Sequence, residues 1–98
     1  MAIKLVLAED NYLLREGVRR LIEAQPELEL AAACEDFDSL MAAIDTHRPD
    51  VVLTDIRMPP TGTNEGIRAA EMLRRTHPEV GVVVLSQYAD PGLSLIHI

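Results

Sequence analysis

Four stretches of this chain are almost wholly apolar, and three others repeat apolar residues at helical spacing. Ile3 to Ala8 is apolar except for Lys4 and predicts a buried strand. Over 12–24, Leu14, Val18, Leu21 and Ile22 recur at i, i+4, i+7 and i+8, which predicts a helix with one apolar face. Arg15, Arg19 and Glu23 fall off that face, Glu16 precedes Arg20 in the favourable i,i+4 order, and Gln25-Pro26-Glu27 ends the helix. Leu28 to Cys34 reads as a second strand. Glu29 alternates there with Leu28 and Leu30, as on a sheet edge with one face towards water. Phe37, Leu40, Met41 and Ile44 predict a helix over 37–47, with Asp36 or Asp38 as its N-cap. Val51 to Asp55 carries no break in its apolar run until its last two residues, and is expected at the sheet centre. Residues 56–63, with Pro59, Pro60 and Gly62, read as a loop. Residues 64–76 predict a third helix, with Ile67, Ala70 and Leu73 inward and Ala69 and Met72 widening the stripe. Gly81 to Leu85 is a fourth strand ending at Ser86, and 87–92 reads as a loop or the start of a further helix.

The resulting order, βαβαβαβ, predicts a parallel sheet with helices on both faces. Ninety-eight residues allow one small domain. With 48% hydrophobic residues and a net charge of −7, the chain reads as globular, and its acidity argues against gripping nucleic acid by itself. A lone cysteine, Cys34, excludes an intrachain disulfide and a Cys-rich zinc site; its apolar neighbours Ala31 to Ala33 suggest an inert buried thiol. No run is long enough to span a bilayer and no secretory leader is visible, so the expected location is cytoplasmic.

The chemistry gathers at three strand ends. Glu9-Asp10 closes the first apolar run, Asp55 the third and Ser86 the fourth. In an open α/β sheet, ligands bind beyond the carboxyl ends of the strands. Three carboxylates brought together there repel and resist full ionisation, and a divalent cation resolves the conflict. Magnesium suits an oxygen-only donor set completed by water and phosphate oxygens. Asp55 is then a candidate nucleophile towards a phosphoryl group, with Ser86 as a hydrogen-bond donor to its oxygens. The only lysine, Lys4, sits at the opposite end of the first strand.

Leu-Ala-Glu-Asp-Asn (7–11), Val-Val-Leu-Thr-Asp-Ile-Arg-Met-Pro (51–59) and Val-Val-Val-Leu-Ser (82–86) together resemble the response-regulator receiver domain of two-component signalling, over residues 3 to about 92. Glu-Asp-Asn-Tyr-Leu-Leu-Arg-Glu-Gly, Met-Pro-Pro-Thr and Leu-Ser-Gln-Tyr further resemble receivers joined to a LuxR/NarL-type DNA-binding output. The resemblance implies a flavodoxin-like doubly wound parallel sheet, here with four strands and three helices and without most of helix 4, strand 5 and helix 5. It implies Asp55 as phosphoacceptor, and Mg2+ held by Glu9, Asp10, Asp55 and the backbone carbonyl of Arg57. It makes Ser86 the switch hydroxyl. The implied partners are a sensor histidine kinase and, in a full-length protein, a second copy; DNA would be reached only through an output domain outside this chain, and no membrane is involved.

Two features depart from that pattern. The lysine and aromatic switch residue expected on strand 5 have no counterpart in this chain. Residues 93–98, Leu-Ser-Leu-Ile-His-Ile, are what CTG-TCT-CTT-ATA-CAC-ATC encodes, which resembles a transposon end used as a sequencing adapter. The expected organisation is therefore a truncated receiver over 1–92 with a non-native tail over 93–98. The poorly covered Leu14/Val18/Leu21 side predicts marginal stability. Two alternatives to a switching phosphoacceptor stand beside it. One is a binding module that no longer switches. The other is a magnesium-dependent phosphatase of the haloacid-dehalogenase type, which expects an aspartate where Arg57 stands.

Overall fold

A computed structural model of the chain describes residues 2–56, 64–90 and 92–97, with side chains described up to residue 85. Its elements are β1 (Ile3–Ala8), α1 (Tyr12–Glu23), β2 (Leu28–Cys34), α2 (Phe37–His47), β3 (Val51–Asp55), α3 (Glu65–Thr76), β4 (Gly81–Asp90) and β5 (Gly92–His97). The sheet order is β2-β1-β3-β4-β5, and the first four strands are parallel. This is the doubly wound, flavodoxin-like arrangement that the alternation of strands and helices predicts. The Glu29-bearing strand lies on the edge and the Val51 run lies in the middle.

Side-chain alternation along the strands divides the core in two. Val6, Ala8, Val52, Val82 and Val84 pack with Leu40 and Ile44 of α2 and Ala69, Ala70 and Leu73 of α3. The intervening Leu5 and Leu7 are also buried, and α1 packs on β1 and β2. Asp36 is the N-cap of α2 and forms a capping box with Ser39, donor and acceptor in both directions. The Ser39 hydroxyl, donating to Asp36 Oδ1 at 2.6 Å, and the Ser39 N–H hold the Asp36 carboxyl below the ordinary carboxylate range. Cys34 is buried, and burial pushes its thiol pKa up, as expected of an inert sulfur.

The structure corrects several expectations. In α1 only Ile22 is buried; Leu14 and Val18 are half-buried, and Leu21 is 70% exposed. Arg19, rather than Arg20, pairs with the acids of its own helix, with Glu16 at 3.5 Å and Glu23 at 3.3 Å. β4 does not stop at Ser86, and 87–90 is neither loop nor helix. The strand runs on to Asp90, and β5 returns antiparallel beside it, with Leu85 opposite Leu95 and Ser86 opposite Ser94. Only Pro91 separates the two strands, and a connection that short permits only antiparallel pairing. Asp90-Pro91-Gly92 between two apolar runs is the turn signal for this hairpin. Among the described residues, no helix is long and apolar enough to cross a membrane.

Candidate functional site

Register brings the strand-end residues to one edge. Ala8 stands opposite Thr54, and Asp55 stands opposite Leu85. Glu9 and Asp10 therefore follow β1 where Asp55 ends β3, and Ser86 is the next residue along β4. Glu9, Asp10 and Asp55 each offer a carboxylate oxygen, and these oxygens all lie within 4.8 Å of one another. Glu9 and Asp55 are buried, at 1% and 4% exposure, while Asp10 is exposed.

The turn after β1 is held from several directions. Glu9 N–H donates to the Cys34 carbonyl at 2.9 Å, and Asn11 N–H donates to Glu9 Oε2 at 3.0 Å. Asn11 in turn caps α1, its Oδ1 accepting from Leu14 N–H at 3.0 Å. Arg15, one turn into the helix, does not point away from the fold. Its Nη1 donates to the Glu9 carbonyl at 2.8 Å, and its side chain is 14% exposed.

The end of β3 is shaped by its backbone. Ile56 N–H donates to Asp55 Oδ1 at 2.8 Å, and the Thr54 hydroxyl donates to the Asp55 carbonyl at 3.0 Å. Gly66, in the first turn of α3, donates its N–H to the Ile56 carbonyl at 2.8 Å. A Cβ on Gly66 would fall on the Asp55 carbonyl oxygen and lie 2.9 Å from both Asp55 C and Ile56 Cα. Glu65 beside it is fully buried. The sequence places Gly66 within a helix and gives it no role; its cost there, about 1 kcal/mol relative to alanine, is the one local sign that something other than helix propensity selects it.

The acids interact as their spacing requires. Burial is the main cause that pushes the Glu9 carboxyl up, to about 7. The Asn11 N–H opposes this, while the charge of Asp55 and the hydrogen bond and charge of Asp10 add to it. Two ligands facing each other across a magnesium ion stand roughly 4 Å apart. An all-oxygen cluster within 4.8 Å is thus compatible with a divalent cation. Lys4 lies at the other end of the sheet, its Nζ donating to the His47 carbonyl at 3.0 Å. Arg57 lies outside the described residues, as does the side chain of Ser86.

The sequence over residues 5–95 matches the family model of the response regulator receiver domain. The chain belongs to that family. The transcriptional regulatory protein DegU of Brevibacillus brevis is 38% identical over 88 residues, which is 90% of this chain and 36% of that relative. The signal receiver domain of the response regulator NarL from Mycobacterium tuberculosis superposes with a TM-score of 0.81 at 29% identity, covering 92% of this chain and 70% of that one. A LuxR-family DNA-binding response regulator from Staphylococcus aureus gives 0.79 at 28% identity, covering 91% and 72%. This receiver spans well under half the length of the curated relatives it matches, 36% and 40% of the first two. Domains of the family act as regulatory phosphoacceptor modules rather than as enzymes, which sets aside the phosphatase alternative. They normally pair with a cognate sensor histidine kinase.

Proposed function

We propose that this receiver accepts a phosphoryl group on Asp55, with Mg2+ held by Glu9, Asp10, Asp55 and the Arg57 carbonyl. The observation that carries the reading is the convergence of three carboxylates within 4.8 Å at the carboxyl edge of the sheet, two of them buried. The donor is a phosphohistidine of a sensor kinase or a small acyl phosphate. An Asp55 oxygen attacks phosphorus, the bond from phosphorus to the donor nitrogen or oxygen breaks, and the leaving group departs with that electron pair. A bound divalent cation supplies the charge neutralisation that lets phosphoryl oxygens approach this acidic edge. Asp10, exposed at the rim, and Glu9, buried beneath it, hold that cation. The Ile56 N–H, by engaging Asp55 Oδ1, fixes the carboxylate's rotation. The Ser86 hydroxyl takes a phosphoryl oxygen and biases the conformation of β4. A transcriptional output outside this chain reads that bias, through a second copy and DNA.

Phosphoryl incorporation from a small acyl phosphate, read by intact mass, is expected with Mg2+ and is expected to fall to background with excess EDTA. Incorporation that is indifferent to EDTA would overturn the metal's part in this reading. A second reading, a binding module that does not switch, is favoured by one observation: this chain's only lysine is tied to the far end of the sheet. On that reading the mass gain still occurs, but the amide spectrum of β4 does not change with it.

A further inference from the structure

Arg15 reaches the site by a route that its sequence position conceals. β1 leaves the sheet at Ala8, whose ladder partners are Cys34 and Thr54, so Glu9 is the first residue beyond the register. Its carbonyl accepts from Arg15 Nη1 at 2.8 Å. The guanidinium is itself held from two other sides. It lies 5.5 Å from the centroid of the Tyr12 ring, and Nη1 is 3.9 Å from Glu35 Oε2 in the β2–α2 loop. Arg15 N–H also donates to the Asn11 carbonyl at 2.8 Å, which closes the first turn of α1. One side chain thus spans the β1–α1 turn, α1 and the β2–α2 loop, with its charged head on the carbonyl of the peptide that joins Glu9 to Asp10.

We propose that Arg15 is a positioning residue for the Glu9–Asp10 pair, fixing the turn so that both carboxylates stand where a divalent cation needs them. This rests on the reading of that cluster as a cation site. Charge and geometry make opposite demands here. A guanidinium near a bound divalent cation repels it, so on charge alone a neutral residue at 15 tightens binding. A guanidinium that orients the ligands acts the other way, because loss of an outer support for metal ligands weakens binding by about tenfold or more. The sign of the change therefore separates a positioning role from a bystander charge.

The test is a titration of the full chain with MgCl2, followed through the Glu9 and Asn11 amide resonances. Wild type, Arg15→Met, Arg15→Lys and Asp10→Asn are compared, with thermal unfolding measured on each. Arg15→Met is expected to raise the Mg2+ Kd about tenfold, with Arg15→Lys recovering part of the loss through a single ammonium donor to the Glu9 carbonyl. The Asn11 amide is expected to shift in metal-free Arg15→Met, which reports a displaced turn without reference to the metal. If Arg15→Met proves too unstable to titrate, Arg15→Lys decides. A Kd raised above wild type at equal thermal stability supports positioning, and one equal to wild type overturns it. Equal or tighter binding by Arg15→Met overturns it likewise. A wild type whose resonances do not respond to Mg2+, or respond as Asp10→Asn does, overturns the cation-site reading beneath it.

Discussion

Gly66→Ala is expected to destabilise the domain by about 2–3 kcal/mol and to abolish phosphoryl incorporation. The helix itself gains from the change, since alanine is the better helix former by about 1 kcal/mol. The loss comes from contact. The new methyl falls on the Asp55 carbonyl oxygen, and its other close neighbours, Asp55 C and Ile56 Cα, are backbone atoms at 2.9 Å. No side chain can rotate away to make room. Either α3 lifts from the sheet, breaking the hydrogen bond from Gly66 N–H to the Ile56 carbonyl, or the end of β3 moves. The first route opens the core around Ala69, Ala70 and Leu73, and the second displaces Asp55 itself. Chemical denaturation and intact mass check the two effects separately. A variant as stable and as readily phosphorylated as wild type would show that α3 does not sit so close to Asp55.

The second large effect is a pH dependence centred on Glu9. Its carboxyl rises from an ordinary 4.5 to about 7, with burial the first cause. Between those values the folded chain holds a proton that the unfolded chain has released, so stability falls as pH rises. The group's relative stabilisation is complete below about 4.5 and is lost as pH passes through about 7. In metal-free buffer the difference across that window is expected to be about 3 kcal/mol. Glu9→Gln, which carries no titrating group, is expected to remove most of that slope. Mg2+ acts in the opposite direction. Its binding displaces the proton, so its affinity is expected to rise with pH up to about 7 and then level off. Urea denaturation at several pH values, with EDTA and with Mg2+, measures both slopes. A metal-free stability that rises through this window at the same rate in wild type and Glu9→Gln would contradict the buried-acid account.

Much of this was open to reading because periodicity and position agree. The βα alternation places Glu9, Asp10 and Asp55 at one sheet edge whatever the details of packing, and the structure brings their oxygens together. What could not be read depends on contacts between distant segments. Arg15 lies off the apolar face of α1 and looks like a solvated charge, yet it turns back onto a carbonyl that leaves the sheet. Gly66 matters only because α3 rests on the end of β3, a closeness that no helical pattern encodes. Leu21 completes an apolar stripe in the sequence but is exposed with Leu13 and Tyr12, because α1 meets the sheet chiefly through Ile22. The β4–β5 hairpin escapes the reading of 87–92 as a loop or the start of a further helix, because the antiparallel return depends on pairing between Gly81–Asp90 and Gly92–His97 that neither segment's own pattern specifies.

The most direct test of the central claim is intact-mass and peptide mapping of wild type and Asp55→Asn after incubation with an acyl phosphate and Mg2+. The account predicts that wild type gains the mass of one phosphoryl group, carried by the peptide containing Asp55, and that Asp55→Asn gains none. An equal gain in Asp55→Asn, or a phosphoryl group mapped to another residue, would contradict it.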